Sequence, residues 1–511
     1  MEHRIRDDYT RYHSGGSIRV VFLFQAPSVW PSWESVWEAM QVDSRFDVRI
    51  YLQPPALETA QVRGAKEFLQ ERGLIYEEYS FDLIRKFNPH LVFVQFPYDG
   101  SYHRPDALSL RLRRAGCRVV YIPYGIEISD TEAGHRDHFQ TFVVENAWRI
   151  YASCQGMLTG YNAYCVNRHA VRVCGSPKFD GFAHRERYVV PARILDQAAG
   201  RKIVLWKLHF PKRVMQGGVA CQVTPDTMEY LRFAKLLSTY QNDVFFIVMP
   251  HPKMLEGGMT SSDTKGNSDL VYQAKQLLSV VNEQPNAMLD ISADYRPALY
   301  GADAIIVDRS ALVVEAALTG NPVLLMKNGF YQEPWTPPVD KVVTALRHGT
   351  TVNDMEQFVQ QVADGQASRG SAKQIAELNF PYQDGFCGER IKNDILKAMQ
   401  LEEKEKRPRV VFYGLGIVFQ YYMDEREWQQ ELYFKITALV DSNEDKWGKT
   451  YGRHDVLPPK QLLGLEYDVL VITSEQNYYD IKRYLLYGLH LDERRIWRLD
   501  EFLVWLEERK A

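Results

Sequence analysis

The sequence has no apolar run approaching the ~20 residues that a helix needs to cross a bilayer, which excludes an integral helical membrane protein. Its first residues, Met1-Glu2-His3-Arg4-Ile5-Arg6, lack the apolar core of a secretory signal. Cysteine is scarce, with six residues at 117, 154, 165, 174, 221 and 387. None forms a Cys-x-x-Cys pair, so neither a zinc site nor a disulfide framework is indicated, and a reducing compartment fits best. These features predict a cytoplasmic protein, touching the inner face of the cell membrane at most peripherally. Charge of one sign is lacking too. Sixty-one Lys and Arg stand against 65 Asp and Glu, for a net charge of −4. No global field therefore favours nucleic acid as a partner. The basic run Arg111-Leu112-Arg113-Arg114 reads as a solvated helix face. Low-complexity tracts and short repeats are also missing.

What is present is ordinary globular material: 45% hydrophobic and 25% charged residues. A chain of 511 residues exceeds one hydrophobic core and suggests about three domains. Aromatic residues make up 13%, consistent with large cores or with stacking platforms for bases and sugars.

Continuous apolar runs recur, as expected of strands buried on both faces of a parallel sheet. The first series is Ile18–Phe24, Phe46–Leu52, His90–Gln95 and Arg118–Ile122, with helical stretches such as Trp33–Met40 between them. A polar segment, Pro191–Arg201, ends it. A second series runs through Lys202–Trp206, Val244–Met249, Met288–Asp290, Ala304–Asp308 and Pro322–Met326. After the charged run Leu401–Arg407, a third begins at Arg409-Val410-Val411-Phe412 and continues with Ile436–Val440 and Val469–Thr473. The expected fold class is α/β. Two doubly wound Rossmann-like domains, 1–190 and 195–400, face each other across a cleft, and 406–511 forms a smaller third unit. Ligands in such sheets bind at the carboxyl ends of strands, so chemistry should sit just after them.

Two segments meet that condition. Met249-Pro250-His251-Pro252 follows a strand directly, and its prolines restrict the backbone around one imidazole. Such a His can donate a proton or hydrogen bond to a leaving phosphate, or serve as a turn residue. Asp308-Arg309-Ser310-Ala311 follows another strand and opens a helix whose Leu312, Val313, Ala316 and Ala317 share a face, with Gly320 as its stop. Unsatisfied N–H groups at a helix start favour anions. The alternative is an ordinary cap with Asp308 or Ser310 as N-cap. Glu315, within that helix, is a candidate partner for ribose hydroxyls or a surface residue.

Residues from about 119 to 392 resemble the CDP-glycerol glycerophosphotransferase family of teichoic-acid and capsule polymerases, through four blocks in order. These are Gly175-Ser176-Pro177-Lys178-Phe179-Asp180, Pro250-His251-Pro252, Asp294-Tyr295 through Asp308-Arg309-Ser310-Ala311 to Pro322, and Asp384-Gly385 to Glu389-Arg390-Ile391. The resemblance implies a B-type glycosyltransferase (GT-B) fold. It also implies that His251, Ser310, the backbone at Ala311 and Lys178 grip the donor diphosphate, with Asp308 orienting the loop. No metal or further cofactor is required, since His, Lys and a helix N-terminus meet the charge. One departure stands out. Where the family has a His-Gly-Thr-Pro block, this chain has Ile122-Pro123-Tyr124-Gly125-Ile126-Glu127. Tyrosine, with an unperturbed pKa near ~10, is a poor base. Glu127, Asp130 or His209 are the candidates to activate an acceptor instead.

In the third unit, Tyr413-Gly414-Leu415-Gly416 after a strand and Asp441 at the end of a later one have the shape of a dinucleotide fingerprint without its third glycine. The unit resembles small nucleotide- or sugar-nucleotide-binding domains appended to bacterial polysaccharide enzymes. A structural or oligomerisation role is the other reading.

Three functions follow as expectations. The first is transfer of glycerol or ribitol phosphate from a CDP-linked donor to a cell-surface glycan or lipid-linked glycan. The second is a glycosyltransferase using a nucleotide sugar. The third is a non-catalytic subunit of a glycan assembly complex.

Overall fold

The structure is a computed structural model that describes residues 9–10, 16–56, 62–216, 218–255, 258–404, 408–424, 434–451 and 454–510. The segments Met1–Arg6 and Glu405–Arg407 lie outside the described residues. The chain divides into two compact units, Gly15–Lys397 and one containing Ala398–Ala511.

The larger unit holds two parallel sheets. The first comprises β1 (Ile18–Phe24), β2 (Phe46–Leu52), β3 (Tyr76–Glu78), β4 (Leu91–Val94), β5 (Arg118–Tyr121), β6 (Arg149–Ala152) and β7 (Val171–Val173), in the order β3-β2-β1-β4-β5-β6-β7. Six of the seven residues of β1 are fully buried, as a central strand covered on both faces demands. Val20 pairs with Leu91 and Phe22 with Phe93, so large side chains stack in register beside the sheet.

The second sheet is built from β8 (Lys202–Leu208), β11 (Val244–Pro250), β12 (Ala287–Leu289), β13 (Ala304–Val307), β14 (Val323–Met326) and β15 (Arg347–Gly349), ordered β12-β11-β8-β13-β14-β15. An antiparallel hairpin, β9 (Arg213–Gln216) and β10 (Val219–Gln222), is inserted after β8. Its strands are short and half-exposed, so they leave no continuous apolar run in the sequence. In each sheet the strand order reverses beside the first strand, between β1 and β4 and between β8 and β13. Those reversals open crevices at the carboxyl ends.

The helix Leu312–Thr319 corrects one expectation. Every residue in it is buried, so it has no solvated face. Its two polar residues are satisfied internally, with Thr319 Oγ1 donating to Ala316 O at 2.6 Å and Glu315 bonded to neighbours described below. Gly320 ends it at φ 80°, a left-handed conformation that favours glycine.

The two lobes of this unit are joined by ionic and capping contacts. Arg296, 2% exposed, donates to Glu34 of the first lobe and chelates Asp294 with Nε and Nη2 at 2.8 and 2.7 Å. Arg72 closes the square, reaching Glu34 at 2.7 Å and Asp294 at 2.9 Å. Burial alone would raise the Glu34 pKa, but Arg296, Arg72 and the Tyr188 hydroxyl together hold it down at about 2. Two of the sequence blocks meet here as well. Asp180 accepts the N–H groups of Cys387 and Gly388 at 2.9 and 3.0 Å, bonding the start of the helix Cys387–Lys404. Gly175 has φ +84°, and a Cβ there would stand 2.4 Å from Tyr382 Cβ, so only glycine fits that turn.

The second unit carries β16 (Arg409–Tyr413), β17 (Lys435–Val440), β18 (Thr450–Tyr451), β19 (His454–Leu457), β20 (Val469–Ile472) and β21 (Ile496–Arg498), ordered β18-β19-β17-β16-β20-β21. Apolar clusters cover both faces of this sheet. Among the described residues, no helix is long and apolar enough to cross a membrane.

Candidate active site

A cavity of about 500 Å³ lies where the carboxyl ends of the two sheets of the larger unit meet. The first lobe supplies Tyr98 after β4, the loop from Tyr121 to Thr131 after β5, and part of the helix Glu132–Phe139. The second lobe supplies His209 and Lys212 after β8, His251 after β11, Arg309-Ser310-Ala311 after β13 and Glu333 after β14. The lobes approach closely at this point. A Cβ on Gly125 would stand 3.2 Å from Ala311 Cβ. Backbone bonds from Asp130 N to Pro334 O at 2.8 Å and from Thr336 N to Ile128 O at 3.0 Å stitch the β5 loop to the segment after β14.

Asp308 is fully buried and turns inward. It accepts the N–H of His209 with both oxygens at 3.0 Å and the hydroxyl of Tyr230 at 3.2 Å. It therefore orients the β8 loop rather than capping the helix, whose N-cap position is Ala311. Burial pushes its pKa up to about 6 against the pull of those hydrogen bonds and Lys207. Ser310 lines the cavity, and its Oγ accepts the N–H of Leu312 at 3.2 Å.

The two histidines are held from behind. His209 Nδ1 lies 2.8 Å from the carbonyl of Phe210, and the N–H of Lys253 donates to His251 Nδ1 at 3.1 Å. Their ring centroids are 5.0 Å apart. Burial, then nearby positive groups, lowers both pKa values well below the ordinary imidazole range, so both rings are neutral near pH 7. Those groups are Arg309 and Lys212 for His209, and Lys207 and Lys253 for His251.

Glu127 is 2% exposed. Tyr161 donates its hydroxyl to Oε1 at 2.6 Å, while Oε2, buried in the cavity wall, has no hydrogen-bond partner. Burial raises its pKa above the usual carboxylate value, opposed by the Tyr161 hydrogen bond. Tyr124 pairs with the Tyr98 hydroxyl at 3.3 Å, and burial raises its pKa further, away from use as a base.

Several expected residues lie elsewhere. Lys178 and Glu315 form a buried pair at 2.9 Å, and Tyr295 donates to Glu315. Neither lines the cavity. A lysine buried to this depth needs a carboxylate, and Glu315 provides it, so neither the diphosphate role of Lys178 nor the ribose role of Glu315 fits. Asp130 is exposed and bonded to His135 Nε2 at 2.7 Å, outside the cavity lining. This placement sets it apart from the residues that line the cavity.

Positive charge at the cavity comes instead from Arg309, within the Asp308–Ala311 segment, and from Lys212, to neither of which the sequence alone assigns a role. Arg309 forms a two-pronged pair with Glu333 at 2.9 Å through both prongs, and Ser129 of the first lobe donates to the same carboxylate at 2.8 Å. Lys212 lines the wall, with its pKa lowered by burial and by Arg309. His138 is lowered to about 4 by burial, Arg309 and Lys212. The usable signal was position: Lys212 lies just beyond the carboxyl end of β8.

In the second unit, Gly414 has φ +93°, and a Cβ there would meet Ser474 Cβ at 3.0 Å. The N–H of Gly416 turns back to Gly414 O at 2.9 Å. Asp441 is not free for a ribose. Its Oδ2 accepts from Leu415 N at 2.7 Å and Lys446 Nζ at 2.9 Å, and its Oδ1 accepts from Asn443 N at 2.8 Å. The carboxylate braces the glycine turn.

Residues 406–497 match a family model described as C2185-like, N-terminal. No curated protein matches the sequence. Solved structures match it in fold. A UDP-GlcNAc 2-epimerase from Neisseria meningitidis bound to UDP-GlcNAc is 12% identical, with a TM-score of 0.50 over 74% of this chain and 100% of its own. Another UDP-N-acetylglucosamine 2-epimerase is 13% identical, with a TM-score of 0.50 over 76% of this chain and 97% of its own. HepE from Anabaena in complex with UDP-glucose is 13% identical, with a TM-score of 0.43 over 74% of this chain and 99% of its own. At these identities the likeness is one of fold: the larger unit is a two-lobed GT-B type α/β structure.

Proposed function

We propose that the larger unit is an enzyme acting on a nucleotide-diphosphate-linked sugar or polyol in surface-glycan assembly. The observation that carries this reading is the cavity at the carboxyl ends of both sheets. It gathers two neutral imidazoles, Lys212, Arg309, Ser310 and an unpaired buried carboxyl oxygen of Glu127. UDP-GlcNAc bound in the Neisseria protein of like fold supports a nucleotide donor here as well. In this reading the donor diphosphate lies against His251, Ser310 and the start of the helix Leu312–Thr319. Donors fixed before reaction stabilise charge as it develops on the leaving phosphate, without reorganisation. Glu127, its pKa moved toward neutrality by burial, is suited to exchange a proton with a hydroxyl on the first-lobe side.

Between a sugar and a polyol phosphate as the group moved, the four ordered blocks favour the polyol, with CMP leaving from a CDP-linked donor. The experiment that separates them is incubation with CDP-glycerol, CDP-ribitol, UDP-glucose and UDP-GlcNAc, with the released nucleotide identified. Release of CMP from the polyol donors alone supports phosphopolyol transfer. Release of UDP, or turnover of UDP-GlcNAc to another sugar nucleotide, replaces it with sugar chemistry. Inertness toward all four donors removes the enzymatic reading and leaves the scaffolding one.

A further inference from the structure

The two imidazoles reach the cavity in opposite hydrogen-bonding states. A carbonyl oxygen can only accept, so His209 Nδ1, 2.8 Å from Phe210 O, carries the ring's hydrogen and leaves Nε2 bare. A backbone N–H can only donate, so His251 Nδ1, receiving Lys253 N, is bare, and Nε2 carries the hydrogen. In their neutral forms the two rings, 5.0 Å apart, thus offer one N–H and one lone pair to the same cavity. That combination suits a hydroxyl. It does not suit a fully ionised diphosphate, whose oxygens only accept.

We propose that a diphosphate entering this cavity brings one proton onto Nε2 of His209, so that ligand binding is coupled to proton uptake at that ring. The inference rests on the nucleotide-diphosphate reading above and adds the protonation state in which the site works.

The surroundings account for the empty site holding no such proton. His209 faces His251 from the β11 side, Lys212 from its own loop, and Arg309 with the buried Asp308 after β13, while Lys207 and Lys253 act on His251. The helix Glu132–Phe139 adds Glu132, Arg136, Asp137 and His138, the β5 loop adds Glu127, and Glu333 is paired with Arg309. Asp263 and Asp290 stand behind Lys253 and Lys207. Burial disfavours a charge on His209 in the free protein, and Arg309 and Lys212 add repulsion. A bound anion reverses that balance, because the same cations then share a negative partner. The sign follows: the ligand-bound pKa lies above the free one. Between the two, affinity falls by about tenfold for each unit rise in pH.

The test is calorimetric titration of the full-length protein with UDP-glucose and with CDP-glycerol near neutral pH, in two buffers of different ionisation enthalpy. Both donors carry a doubly esterified diphosphate with no proton of its own to exchange in this range. Uptake of about one proton per donor bound is expected. In His209→Gln the amide supplies a hydrogen without titrating, so binding persists and proton uptake disappears. His251→Gln binds more weakly but keeps the uptake. Binding without proton exchange in the wild type, or uptake that survives in His209→Gln, overturns the coupling and leaves the nucleotide reading intact. Binding of neither donor overturns both.

Discussion

At the scale of single residues, the cavity separates groups that look interchangeable in the sequence. Three basic side chains, Lys178, Lys212 and Arg309, lie near strand ends, yet only the latter two line the cavity, because Glu315 neutralises Lys178 in the interior. Replacing His251 with Ala should lower kcat by about a hundredfold on the true donor, the scale for losing one donor aimed at developing charge. Steady-state kinetics checks this, and unchanged turnover would remove His251 from the chemistry. Arg309→Lys should raise KM more than it lowers kcat. A lysine cannot reproduce the two-pronged bond to Glu333, which keeps the guanidinium in place. Glu127→Gln tests the base. If Glu127 accepts a proton during reaction, the amide should cost about 10²–10⁴-fold in kcat while leaving donor affinity nearly unchanged.

At the scale of elements, the four ordered sequence blocks are of two kinds. His251, between its two prolines, and Arg309-Ser310-Ala311 face the cavity. Gly175–Asp180 and Asp384–Arg390 are architectural, since Asp180 bonds two N–H groups at the start of the helix Cys387–Lys404 and Gly175 admits Tyr382. Asp180→Ala should destabilise the larger unit by about 1–2 kcal/mol, the usual cost of a lost cap. A lowered midpoint in thermal or denaturant unfolding would show it, with KM for the donor little changed. In the second unit, Gly414→Ala should destabilise by a comparable amount, because φ +93° and the approach of Ser474 both exclude a side chain.

At the scale of the molecule, the join between the two lobes of the larger unit depends on charge. Glu34 has its pKa held down at about 2 by Arg296, Arg72 and Tyr188 against the cost of burial. Its contribution to stability is therefore present above its ordinary range and lost as pH falls toward 2. Acid titration followed by circular dichroism should show a loss of stability beginning below about pH 4.5. Glu34→Gln should remove that pH-dependent part and lower stability at neutral pH, because Arg296 keeps a buried charge with one partner fewer.

Strand identity was determined by sequence alone, because strands buried on both faces are predominantly apolar, as in β1, β8, β11 and β13. The placement of His251 and Ser310 just after strands followed from the same pattern, and both line the cavity. Elements without a continuous apolar run, such as β7, β15 and the β9–β10 hairpin, were not legible. Neither was the environment of a charge. Lys178, Glu315, Asp130 and Asp441 carry the residue types of a site, but their partners lie between 2 and 137 residues away along the chain. Only folding brings those partners together, and the depth of burial then decides which charges neutralise each other and which face the ligand. The partners that set the tautomers of His209 and His251 are local, the Phe210 carbonyl and the Lys253 N–H, but only the fold brings the two rings to 5.0 Å from each other.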